Sequence, residues 1–219
     1  NTISKVLVLL RKQKLLNNQY FDINVKKNIP HGSGLGGGSS NAANLLNFLK
    51  TKKFLKINEN KNNKIARKIG FDVPILLNNK NCFLIGKSEK IIKLKNFFKL
   101  NMLIVYPNFV CSTKKIYKIN KKITIDKKWN YKDINTKKKL INFLMMEDND
   151  LEKSAIKLYP KIKVVINIIN NQNGCYFSRI TGSGSACIGI FSSAKTANSA
   201  KKRIKSKFPK FWCVASKTI

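Results

Sequence analysis

The chain has 219 residues, 43% of them hydrophobic, which is enough to bury the core of one large domain or two small ones. Its formal charge of +34 comes from 44 basic residues, of which only Arg11, Arg67, Arg179 and Arg203 are arginines. The rest are lysines scattered along the whole length with no arginine-and-aromatic stripe, a pattern that favours a lysine-coated surface over a specific nucleic-acid site. Five dispersed cysteines with one histidine and no CxxC pair argue against a zinc cluster or a disulfide scaffold, and apolar runs no longer than Val6–Leu10 argue against a membrane span, so a cytoplasmic protein is expected.

Ile3, Val6, Leu7 and Leu10 recur at helical spacing before Lys14 interrupts the stripe ahead of Leu15 and Leu16, which predicts a helix over Ile3–Leu16. Tyr20–Val25 alternates apolar and polar residues and predicts a strand. A glycine-rich run, His31 to Ala43, leads into a helix over Asn41–Leu49. A further helix over Lys61–Ile69 is closed by Gly70, and the stretch from Cys82 to Gly86 reads as a strand. Lys99–Pro107 has the look of a buried strand in a second unit, and Lys114–Lys139 reads as a solvated helix-and-loop region. Asn149–Asn170 predicts helices, Cys175–Phe191 two strands around a second glycine turn, Ser193–Lys207 a basic helix, and Phe211–Ile219 a closing strand. Helices and strands mix without strict βαβ repetition, so the expected class is α+β in two lobes, residues 1–95 and 96–219, with no internal repeat.

The run HGSGLGGGSSNAA holds five glycines and three serines. Glycine permits positive φ and close backbone approach, so such a run exposes N–H groups as an anion receptor, and a helix beginning at its end adds unpaired amides and a positive dipole end. Phosphate is the expected guest. A Walker loop is excluded because Gly38 is followed by Ser39 and no lysine lies between His31 and Lys50. The literal GxGxxG at Gly32, Gly34 and Gly37 is a weak match, since Glu59 sits in polar text rather than at a strand end, and the companions of a protein-kinase loop are absent. A flexible linker does not carry Leu35 at its centre or run straight into an alanine-leucine helix start.

Of ten carboxylates, Asp72 stands apart, between Phe71 and Val73 and just ahead of Pro74. An acid among apolar neighbours invites a functional role, and an aspartate capping the following helix is the competing reading; the residues alone leave both open. Thr181–Ser185, TGSGS, reads by itself as a tight turn between strands.

The stretch IPHGSGLGGGSSNAA resembles the second motif of the GHMP small-molecule kinases. IGFDVPILL from Ile69, GKSEKI from Gly86, VYPNFVCST from Val105, NDLE from Asn149 and ITGSGSACIGIF from Ile180 are similar to segments of the same family in the same order. The resemblance implies a two-lobed α+β fold: a shortened amino-terminal lobe of the ribosomal protein S5 domain 2-like type and a ferredoxin-like carboxy-terminal lobe. It implies an ATP-dependent kinase with Pro30, His31, Gly32, Ser33, Gly34, Leu35, Gly36, Gly37, Gly38, Ser39, Ser40 and Asn41 at the nucleotide's phosphates. Asp72 would face the acceptor hydroxyl, and Gly182, Ser183, Gly184 and Ser185 would form a third motif beside the glycine loop. Mg²⁺ is the expected metal, with Ser39 or Ser40 as a ligand; Thr113 borders the substrate pocket or lies on a surface turn, and His31 is a loop residue rather than an acid or base. The triple glycine points within the family to phosphorylation of the 2-hydroxyl of 4-diphosphocytidyl-2-C-methyl-D-erythritol, a small-molecule substrate of non-mevalonate isoprenoid synthesis. The expected protein is a monomer or homodimer with no membrane or specific nucleic-acid partner. Another small alcohol such as homoserine, or a basic nucleic-acid binder derived from a disabled kinase, are the competing functions. The family's early Pro-x-Lys-hydrophobic-Asn motif does not precede Ile3, which implies an amino-terminally shortened member. PKIKVVIN from Pro160 matches that motif only superficially, since it follows NDLE and reads as helix.

Overall fold

The computed structural model describes residues 1–16, 19–78, 81–85, 90–93, 98–120 and 133–218. They divide into two units, one of Asn1–Lys27 and Gly36–Lys95, the other of Asn28–Leu35 and Asn96–Ile219. Most of GKSEKI and the middle of Lys114–Lys139 lie outside the described residues.

The first unit is mainly helical. Asn1 accepts the Ile3 amide at 3.1 Å and opens α1 (Thr2–Lys12), whose last turn carries Arg11 and Lys12 against the negative dipole end. The helix therefore ends at Lys12 rather than running on to Leu16 as expected, and Lys14, where the apolar stripe is interrupted, takes a left-handed φ of 53°. α2 (Gly37–Thr51) turns Ala42, Ala43, Leu46 and Leu49 onto Val6 and Leu10 of α1. In α3 (Glu59–Ile69), Asn58 accepts the Lys61 amide at 2.9 Å, and Ile65, Ala66 and Ile69 join the same core. α4 (Val73–Leu76) is a single turn with Pro74 near its start, and it packs against α2 and α3. β1 (Cys82–Ile85) pairs antiparallel with β2 (Lys90–Lys93).

Two further expectations fail in this unit. Tyr20–Val25 is not a strand: among the described residues no strand lies beside it, and from Asp22 onward it is exposed. Alternation describes a chain ready to pair, whereas a strand exists only when a neighbour completes the ladder. The second difference is that α2 begins at Gly37 rather than Asn41, so two glycines and two serines form its first turn.

The second unit is built on a four-stranded antiparallel sheet in the order β4-β5-β3-β6. β3 (Asn101–Tyr106) and β5 (Cys187–Phe191) are central, while β4 (Cys175–Ile180) and β6 (Trp212–Lys217) form the edges. With α8 (Lys161–Asn170) before β4 and α9 (Ala194–Lys207) between β5 and β6, the strand–helix–strand–strand–helix–strand sequence is the ferredoxin-like arrangement. α5 (Thr113–Ile119), α6 (Lys137–Met146) and α7 (Glu152–Leu158) lie between β3 and α8. Leu103, Val105, Ile180 and Phe191 of the sheet meet Ile162 and Ile169 of α8 and Ala200 and Ile204 of α9 in one apolar core. Each fully buried large aliphatic or aromatic side chain there contributes about 1.5–3 kcal/mol. Among the described residues, no helix is long and apolar enough to cross a membrane.

Candidate active site

Within the second unit, Gly32–Leu35 lies against the turn between β4 and β5. The Ala186 amide donates to the Ser33 carbonyl at 3.0 Å, and the Thr181 amide returns to the Ala186 carbonyl at 3.0 Å. Ser33, 3% exposed, donates its hydroxyl to the Pro30 carbonyl at 2.8 Å and so folds the run back on itself. Gly34 has φ +79°, and a Cβ there would stand 2.6 Å from the Gly184 carbonyl oxygen and 3.0 Å from that of Thr181. Glycine is therefore required on two counts, handedness and close backbone approach. The turn itself has left-handed Gly182 and Gly184, closed by the Gly184 amide on the Thr181 carbonyl at 2.9 Å. Ser185 is fully buried and donates to the Phe109 carbonyl. Ser183 meets the Thr113 hydroxyl at 2.8 Å, which places Thr113, the first residue of α5, at the third motif rather than on a free surface turn. His31 is exposed and Leu35 half-buried.

Within the first unit, Gly36 takes φ +66° and caps α2. The first intrahelical bond runs from the Ser40 amide to the Gly36 carbonyl at 2.9 Å, so the amides of Gly37, Gly38 and Ser39 precede it and have no intrahelical acceptor. A Cβ at Gly36 or Gly37 would find no atom within 4 Å, so both residues have open space on their Cβ side. Gly38 is held from behind, its carbonyl accepting the Thr2 hydroxyl at 2.9 Å. Asn44 donates to the Ser40 carbonyl at 2.9 Å and touches the Ser40 hydroxyl at 3.3 Å. A cavity of about 710 Å³ opens beside this helix, lined by Asn41 and Asn44 together with apolar Ile3, Phe21, Leu45 and Phe48.

Asp72 departs from expectation. It is exposed, as is Phe71 at 67%, whereas Val73 and Pro74 are buried. It occupies the cap position of α4, yet its side chain makes no capping bond, and among the described residues nothing holds its carboxylate. Apolar neighbours in sequence did not translate into apolar neighbours in space, because Gly70 ends α3 in extended backbone and the turn through residues 71 and 72 swings outward.

Among the described residues no disulfide joins the cysteines, and no group of three His, Cys, Asp or Glu side chains could hold a metal ion. Burial lifts the Cys111 thiol, which lies behind the turn 3.8 Å from the Cβ position of Gly184, from an ordinary 9.0 to about 11 and pushes Cys187 further up. A thiol whose folded value is raised costs nothing below 9.0, the value it resumes on unfolding. Above that point the unfolded chain loses its proton first, so stability falls as pH rises from about 9 toward about 11. Urea titrations at stepped pH are expected to show this decline, and to show a shallower one in Cys187→Ala.

In sequence NDLE is only a matching segment; in the fold it holds the glycine turn. Asn149 donates to the Gly182 carbonyl at 2.8 Å and the Ile180 carbonyl at 3.2 Å, while Glu152 accepts the Ile180 amide at 3.0 Å.

The chain matches one class of kinase in sequence and in fold. Residues 1–79 match the model of the GHMP kinases N terminal domain, and residues 125–210 match that of the GHMP kinases C terminal domain. The chain belongs to the GHMP kinase family. It is 42% identical over 219 residues to the 4-diphosphocytidyl-2-C-methyl-D-erythritol kinase of Pelagibacter ubique (strain HTCC1062), spanning 100% of this chain and 76% of that one. It is 34% identical to the enzyme of the same name from Wolbachia pipientis wMel, over 97% of this chain and 73% of that one. A crystal structure of 4-(cytidine 5'-diphospho)-2C-methyl-D-erythritol kinase superposes with a TM-score of 0.69 at 25% identity, covering 87% of this chain and 68% of that one. Homoserine kinase from Cytophaga hutchinsonii superposes at 0.71 with 17% identity, covering 100% and 76%, which is a likeness of fold alone.

Proposed function

We propose that the chain transfers the γ-phosphoryl group of ATP to the 2-hydroxyl of 4-diphosphocytidyl-2-C-methyl-D-erythritol, in the non-mevalonate route to isoprenoid precursors. The observation that carries this reading is the 42% identity to a kinase of that name along all 219 residues. Phosphoryl transfer asks of the protein an oriented hydroxyl, neutralised phosphate charge and little covalent work. The open backbone amides of Gly37, Gly38 and Ser39 supply donors for the phosphates, and the positive end of α2 adds to them. The cavity beside Asn41, with Asp22, Lys26 and Asn44 among apolar side chains in its wall, has room for the nucleotide base. Gly182–Ser185 backs the loop, and Asp72 accepts or orients the proton of the acceptor hydroxyl, a role its exposure leaves open to substrate.

A hydroxyl oxygen suits Mg²⁺, and Ser39 or Ser40 in the first turn of α2 would hold it; the Ser40 hydroxyl keeps a free lone pair beside Asn44. Bound there with the nucleotide, the ion would offset charge on the transferring phosphate. Coupled ADP formation by the intact protein, with ATP and Mg²⁺, is expected with 4-diphosphocytidyl-2-C-methyl-D-erythritol and not with homoserine or mevalonate. Turnover with homoserine alone would move the chain to another branch of the family.

A further inference from the structure

β4 is an edge strand, and edges leave amides and carbonyls without a neighbour. Ile180 ends it. The next residue, Thr181, directs its amide inward to Ala186 of the strand-connecting turn, so by alternation the amide and carbonyl of Ile180 and the carbonyl of Gly182 point outward. All three outward groups are satisfied, and none by a strand. Glu152 takes the Ile180 amide at 3.0 Å, and the Asn149 amide bridges the Ile180 and Gly182 carbonyls at 3.2 and 2.8 Å. The bridge is itself fixed: the Asn149 side-chain oxygen accepts the Leu151 amide at 3.0 Å, and its carbonyl accepts the Glu152 amide at 2.8 Å. Four residues thus stand in for a fifth strand at the point where β4 becomes the glycine turn.

We infer that Asn149, assisted by Glu152, is a positioning residue for nucleotide binding, an inference that rests on the proposed function. It touches no substrate. Its two donated bonds set where Gly182 stands, and the same turn presents the Gly184 and Thr181 carbonyls against Gly34 and the Ala186 amide to Ser33. A shift at Gly182 therefore reaches the glycine loop through backbone contacts alone, with no side chain between to absorb it. Aspartate at 149 keeps the size and the Leu151 bond but places an acceptor against two carbonyls, which unmakes both turn bonds at once.

Amide exchange and steady-state kinetics on the intact protein test this together. In Asn149→Asp, exchange of a peptide spanning residues 180–186 is expected to accelerate about tenfold or more while α9 keeps its protection. KM for ATP is expected to rise about tenfold, the worth of two hydrogen bonds, with kcat held within about twofold. Glu152→Ala is expected to move both readouts the same way, and Glu152→Gln, which keeps an acceptor for the Ile180 amide, to recover most of the loss. Unchanged exchange at 180–186 overturns the inference whatever the kinetics. Faster exchange with unchanged KM, or a fall in kcat and melting temperature at constant KM, also overturns it by leaving Asn149 a structural role only. A wild-type protein that binds no nucleotide overturns the function reading and this role with it, and the wild-type arm identifies that case.

Discussion

Asp72→Asn is expected to lower kcat by about 10²- to 10⁴-fold, the usual contribution of a positioned general base, while the melting temperature and KM for ATP stay near their wild-type values. The separation follows from the surroundings of Asp72: the residue is exposed, makes no cap, and is held by nothing among the described residues, so the fold loses little when its charge is removed. Its immediate neighbours Val73 and Pro74 are buried and α4 packs on α2, so the backbone that carries the carboxylate is fixed even though the side chain is not. A wild-type rate from Asp72→Asn in the coupled assay removes Asp72 from the chemistry. A large loss of melting temperature assigns it to structure instead.

Gly34→Ala is expected to damage binding and stability together. A side chain at φ +79° costs about 1–2 kcal/mol in backbone strain alone. The added methyl would also stand 2.6 Å from the Gly184 carbonyl oxygen, a backbone atom that no rotamer change can move aside. A loss of about 2 kcal/mol or more corresponds to about 4–8 °C in melting temperature for a chain of this size. KM for ATP is expected to rise more than about tenfold, since the loop and the turn must part. Gly37→Ala is the informative contrast. It lies in helix with nothing within 4 Å of the new methyl, so stability is expected to hold or improve. A raised KM for ATP in that variant would mark the start of α2 as occupied by phosphate. Equal melting losses in both variants would contradict this division.

What was legible in the sequence was what local chemistry encodes. Glycines at alternate positions announced left-handed backbone, and Gly32, Gly34 and Gly36 all take it. The helical stripe from Ile3 to Leu10 depends on spacing and appears as expected, whereas the helix stops at Lys12 instead of carrying on to Leu16. The sheet of the second unit was readable because its strands are bounded by glycine turns and helix caps such as Ser193, which accepts the Thr196 amide at 3.1 Å. Features that depend on partners were not legible. Tyr20–Val25 has the alternation of a strand and lacks a neighbour among the described residues. Asp72 has apolar neighbours along the chain and solvent around it, because burial is decided by how α3 ends and not by adjacency. Asn149 gave a faint signal, an asparagine just ahead of a helix start, but its real partners lie 31 and 33 residues away.

The central claim is that main-chain amides at the start of α2 hold the nucleotide's phosphates while Asp72 meets the acceptor. A crystal structure of the intact protein with a non-hydrolysable ATP analogue and 4-diphosphocytidyl-2-C-methyl-D-erythritol tests it directly. The triphosphate is expected within hydrogen-bond distance of the Gly37, Gly38 and Ser39 amides, and the Asp72 carboxylate is expected to contact the 2-hydroxyl. A triphosphate bound away from those amides, or an Asp72 that does not reach the acceptor, would contradict the claim.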